Sequence, residues 1–255
     1  MDFEYIHVYR DDTIANLCPD ALAAEIARIF TRCIVDVRES FFRHWNMTAR
    51  DVARTLQLAR ISDLKQPFEM QPSNQEPDNG ALPLYDGFVL RRQLSCSLTD
   101  DESDTNHVHI VFTNLMTCTF DEDDWRYHGR AVICGTPAII SATGIVEAPA
   151  KPREFYQMAG LGLAELSTLR KQMAARFIDY GDERMAQTAV GYALQALFFF
   201  VADGEPFCGN RNCRLFNAHW QEDLIRTQIG KPALCSEHQD LANKFNRKKI
   251  RQLSF

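Results

Sequence analysis

The stretch from Leu197 to His238 constrains this chain more than any other. Cys208 and Cys213 stand with four residues between them, Cys235 and His238 with two, and residues 214 to 234 join the pairs, giving C-x4-C-x21-C-x2-H. Two close ligand pairs on a loop long enough to bring them together build a tetrahedral divalent-ion site of three thiolates and one imidazole. Gly209, Asn210 and Arg211 fill the first pair with a polar turn. Cysteines also pack as small hydrophobes, yet four ligand-type residues at two knuckle spacings favour a metal. Met1 to Arg10 is a mixed, charged segment without the basic start and apolar run of a secretory leader. A reducing, cytoplasmic setting is therefore expected, in which disulfides are rare. The expected cofactor is one structural Zn2+ per chain, on Cys208, Cys213, Cys235 and His238.

On these residues the segment resembles the C-terminal part of the archaemetzincin-like (metzincin-type) zinc metallopeptidases. There an HExxHxxGxxH helix motif runs directly into C-x4-C, a methionine-bearing turn and C-x2-C. Without a gap, Gly204 matches the motif glycine, Cys208 and Cys213 the first cysteine pair, Cys235 the third cysteine, and His238 replaces the fourth. The catalytic positions differ. Leu197 and Phe198 stand at the first histidine and the glutamate, Val201 and Phe207 at the other histidines, and Arg214 and Leu215 where the turn methionine belongs. A catalytic zinc needs three protein ligands and a carboxylate base, which aliphatic and phenyl groups do not supply. The resemblance thus implies a metzincin-like fold with the structural zinc kept and the peptidase centre lost, a pseudoenzyme with no catalytic residue that binds a protein or small-molecule partner.

At 255 residues, 45% hydrophobic and 24% charged, the chain has the composition of a globular protein. Its net charge of −6 argues against wholesale nucleic-acid binding, although Lys244, Arg247, Lys248, Lys249 and Arg251 form a basic C-terminal helix end that could touch it. The longest apolar run, Ala196 to Ala202, is too short to span a membrane.

Residues 3 to 9 read as a strand, Asp20 as the cap of a helix with Leu22, Ile26, Ile29 and Cys33 on one stripe, and residues 34 to 37 as a second, parallel strand. Thr48 caps a helix over residues 49 to 61, and the Pro-rich residues 66 to 83 read as a long loop. HVHIVFT is a strand with His107 and His109 on one face. With His128 as a third ligand and Asp121 or Glu147 as base, these suggest a rival reading, a metal-dependent hydrolase with a relocated centre. AVICG, AIIS and GIVEA read as a meander of short strands, residues 154 to 178 as helical, and Asp182 as the cap of a helix ending near Ala202 that is apolar on all sides. Residues 218 to 228 and 236 to 251 read as two more helices. The expected architecture is α/β: a mixed sheet with packed helices over residues 1–202, continuous with a zinc-bound helical subdomain over residues 203–255.

Overall fold

The computed structural model describes residues 2–71, 82–163 and 165–248. The chain opens with strand β1 (Tyr5–Tyr9), helix α1 (Pro19–Ile29) and strand β2 (Ile34–Arg38), and β1 pairs with β2 in parallel. Pro19, with φ preset and no N–H to satisfy, starts α1 two residues earlier than an Asp20 cap would. The cap is Cys18, in a left-handed conformation. Helices α2 (Phe41–His44) and α3 (Ala49–Ala59) follow. Thr48 starts α3 through a reciprocal capping box with Asp51, its hydroxyl accepting from Asp51 N at 3.2 Å.

A single helical turn over Phe68–Met70 falls in the expected Pro-rich loop, whose residues 72–81 lie outside the described residues. Next come β3 (Leu84–Asp86), α4 (Gly87–Ser95), β4 (His107–Thr113), β5 (Met116–Asp121), β6 (Arg126–Arg130), β7 (Val132–Ile133) and β8 (Ala138–Ser141). GIVEA is not a third strand of a meander. Ser141 Oγ accepts from Gly144 N at 2.7 Å and caps helix α5 (Ala142–Glu147). A Cβ on Gly144 would stand 2.2 Å from the Arg130 carbonyl oxygen, so α5 and β6 meet in a contact only glycine permits. Gly144→Ala is accordingly expected to destabilise by ~1–3 kcal/mol, the usual cost of overpacking, seen as a lower urea midpoint at unchanged slope.

The expected long helix over residues 154 to 178 is divided into α6 (Arg153–Gly160) and α7 (Leu166–Gln172), with Gly162 at positive φ between them. Helix α8 (Met185–Val201) begins after Asp182, which accepts from Arg184 N at 2.8 Å without being the cap. Helix α9 (Gln221–Ile225) widens into a π-type turn over Arg226–Gly230, and α10 spans Ser236–Arg247.

The main sheet has the order β2-β1-β4-β8-β7, parallel except for β7, and a smaller sheet has the order β3-β5-β6. This is a mixed α/β fold. Alternation along β1 and β4 divides the residues between two layers. Ile6, Val8, Val108, Ile110 and Phe112 join the core built with α1 and α8, whereas Tyr9, Val111 and Ile139 join that of α2, α3 and α4. Helix α8 is buried around its circumference, as its composition demanded, with Leu197 and Phe198 wholly enclosed. Phe245 on α10 closes the core from the C-terminal side, its ring 4.6 Å from that of Phe3. Lys249 and Arg251 of the basic segment lie outside the described residues.

Candidate metal centre and the adjoining cleft

Cys208, Cys213, Cys235 and His238 converge, with one ligand atom from each lying within 4.8 Å of the others. Local turns explain how. Cys213 N donates to the Asn210 carbonyl at 2.9 Å, closing the first knuckle, and Cys208 N donates to the Leu215 carbonyl at 2.9 Å. Arg214 N reaches the Ala233 carbonyl at 2.7 Å, which draws the second pair beside the first. Cys235 is the residue before α10 and His238 lies in its first turn, so a three-residue spacing sets both on one face.

The donor atoms pack closely: Cys208 Sγ is 3.9 Å from Cys235 Sγ, and His238 Nδ1 lies 3.1 Å from Cys235 Sγ and 4.0 Å from Cys213 Sγ. Backbone N–H groups point at the sulfurs, Asn210 N at Cys208 (3.3 Å), Leu215 N and Cys235 N at Cys213 (3.5 and 3.4 Å). Such donors favour thiolates. Burial acts the other way, pushing the Cys213 thiol up to about 12 and holding the His238 imidazole below its ordinary value. A neutral imidazole is the ligand form, and a cation is what would make the buried sulfurs ionise. The donor set therefore fits zinc.

The residues of the relocated centre do not meet. His107 and His109 share a face of β4 in the main sheet, but His128 is on β6 in the other sheet, where its Nε2 bonds Asp124 at 2.9 Å near Asp121. Glu147 is on α5, paired with Lys151 at 3.0 Å and Arg170 at 3.3 Å. Parallel pairing of β1 and β4 instead brings His7, a residue whose sequence context suggests packing rather than ligation, opposite His109.

His7, His109 and Glu102 lie together in a hydrogen-bonded network. Asp36 Oδ1 accepts from His7 Nδ1 at 2.6 Å, and His7 Nε2 bonds His107 Nδ1 at 2.8 Å. His109 Nε2 donates to the Glu102 carbonyl at 2.8 Å, leaving Nδ1 to accept from the Tyr9 hydroxyl at 2.9 Å. Arg38 grips both Glu102 oxygens, at 2.6 and 2.9 Å, and reaches Asp36 at 2.8 Å.

Burial is the main cause that lowers the His109 pKa to about 4, with His7 and Arg38 adding to it. Between that value and the unfolded value near 6.5, the unfolded chain binds the extra proton. Stability from this group is thus complete above pH 6.5 and is lost as pH falls toward 4, by up to ~3 kcal/mol. Urea titrations across this range should show a shallower acid decline for His109→Gln than for the parent chain.

Beside the cysteine–histidine cluster, a cleft of about 690 Å3 opens between β7, the end of α8 and the segment around His219. Tyr192, Gln195 and Phe199 are the α8 side chains that line it, together with Gly204 and Phe207. Of the four positions at which the resemblance places catalytic groups, only Phe207 faces the cleft. Leu197 and Phe198 are in the core, and Val201 packs against it. Among the described lining residues there is no aspartate or glutamate, and His219 is the one imidazole. No helix among the described residues is long and apolar enough to cross a membrane.

A search of curated proteins found no match. Among solved structures, archaemetzincin from Methanopyrus kandleri aligns over 97% of this chain and 97% of its own, with a TM-score of 0.51 at 12% identity, a likeness of fold. The metzincin-like architecture implied by the resemblance is thus the one observed. A family model described as "Probable metallopeptidase family (DUF6775)" matches residues 2–245, and the chain belongs to that family.

Proposed function

We propose that this chain is a zinc-binding member of its family in which the metal is structural and the peptidase centre is lost, so that the protein works by binding. The observation that carries the reading is the convergence of buried Cys208, Cys213 and His238 with half-buried Cys235. A closed set of four protein ligands suits a structural zinc, whereas a catalytic one keeps a position open for water. Bound there, the ion would supply cross-linking rather than Lewis acidity. It would tie the knuckle around Asn210 to the start of α10 and so hold the C-terminal subdomain on the core. The cleft supports the loss of catalysis, since its described lining residues offer neither three ligands nor a carboxylate base.

Metal analysis of the purified chain is expected to give one zinc that survives mild chelation, with no cleavage of peptide substrates. A second reading, a metal-dependent hydrolase on the sheet face, draws on the grouping of His7, Glu102 and His109. It requires a second, chelator-labile ion that disappears with activity in His109→Ala. Opposing it, both His109 nitrogens and both Glu102 oxygens already have partners.

A further inference from the structure

The cleft beside α8 has a charge pattern at odds with the rest of the chain. The protein carries 34 acidic against 28 basic residues. Yet Arg91 from α4 and Arg130 from the end of β6 both line the cleft, and no carboxylate is among the described lining residues. Arg91 Nε is buried without a hydrogen-bond partner, and Gly135, at φ +126°, leaves it room, since a Cβ there would stand 2.9 Å from the guanidinium. Among the described residues, the Arg130 guanidinium donates only to the Thr119 hydroxyl, 2.7 Å from its Nε. Two guanidinium groups with no carboxylate partner among the described residues form a receptor for a planar anion, best matched by a carboxylate.

A third group narrows the ligand. Gln195 is 3% exposed. Its Nε2 donates to the Phe216 carbonyl at 3.3 Å, which fixes the amide, and its Oε1 has no partner. A buried acceptor left open costs free energy unless a ligand N–H fills it. Tyr192, Phe199 and Phe207 supply an apolar wall. A carboxylate, an N–H donor and an apolar side chain within a cavity of this size describe the last residue of a peptide. Among the described strands β7 pairs only with β8 and lies at the end of the sheet beside the cleft, where a peptide backbone can add to its edge.

We propose that the cleft binds the free C-terminal end of a peptide with an apolar last residue, its carboxylate held by Arg91 and Arg130 and its last N–H by Gln195. This names a ligand class for the binding role proposed above and rests on that reading. The test is calorimetric titration of the zinc-loaded full chain with N-acetyl-Ala-Leu-Phe, as the free acid and as the amide, with mass spectrometry of the recovered peptides. The acid should bind at least about tenfold more tightly than the amide. That preference should collapse in Arg91→Met and Arg130→Met and persist in Arg91→Lys, with zinc content and circular dichroism checking each fold. A ratio near one, or no binding of either peptide, with both recovered intact, would overturn the carboxylate assignment alone. Hydrolysis of the probes would overturn the non-peptidase reading instead.

Discussion

Cys213→Ser is expected to lose its zinc and its thermal stability in one step. Cys213 is fully buried, and its sulfur receives two backbone N–H groups, from Leu215 and Cys235. A hydroxyl there cannot ionise to bind zinc, and the three remaining donors make a poor site. Free zinc-finger peptides gain ~10 kcal/mol of apparent folding free energy from the metal at neutral pH. This chain has a large core of its own, so only the part invested in residues 207–238 is at stake. A loss of roughly 3–5 kcal/mol follows, a fall in melting temperature on the order of 10 °C for a chain of this length. Hydrogen exchange should show the loss of protection concentrated between Phe207 and His238. Full zinc loss with an unchanged melting temperature would remove the structural role.

A second large effect is expected at Phe198, where the resemblance places the catalytic glutamate of a peptidase. Phe198→Glu restores that residue type but should unfold the protein rather than revive it. The Phe198 ring is wholly buried, 5.6 Å from that of Phe30 and 5.4 Å from the His238 imidazole. Truncating a buried phenylalanine costs ~3–5 kcal/mol by itself, and an unpaired buried carboxylate adds several more. The sum approaches the entire stability of an ordinary domain, roughly 5–15 kcal/mol. The variant should be insoluble or molten, while Phe198→Leu folds with full zinc. A soluble Phe198→Glu protein with peptidase activity would mean that this position opens to the cleft.

What was legible in the sequence was the local and the periodic. The β-α-β opening, the Thr48 cap, the apolar α8 and the two ligand pairs each declare themselves within a few residues, and their spacing follows from helix, strand and turn geometry. The errors had local causes too. GIVEA has a strand's composition, but the Ser141 hydroxyl three residues before Gly144 N makes a helix start, and the tight packing of Gly144 on Arg130 needs a glycine there. Asp182 and Asp20 are good capping residues that lose to neighbouring backbone geometry, Pro19 in the second case.

Long-range pairing stayed hidden. His7 and His109 are 102 positions apart and meet because β1 and β4 are adjacent and parallel, which no spacing rule reveals. His128 looked like their natural third partner, yet β6 belongs to another sheet. The cleft was likewise invisible. Arg91, Arg130 and Gln195 come from three elements, and an unsatisfied side chain is recognisable only once its surroundings are known. Their residue types gave no signal by themselves.

Three sulfurs and one imidazole are expected to hold a permanent ion at the C-terminal end of the fold. X-ray absorption at the zinc edge of the purified full chain tests it most directly. The expected shell is three sulfurs at about 2.3 Å and one nitrogen at about 2.0–2.1 Å, with no oxygen. A chain that retains no zinc, or a shell of nitrogen and oxygen with a bound water, would rule out a closed structural site.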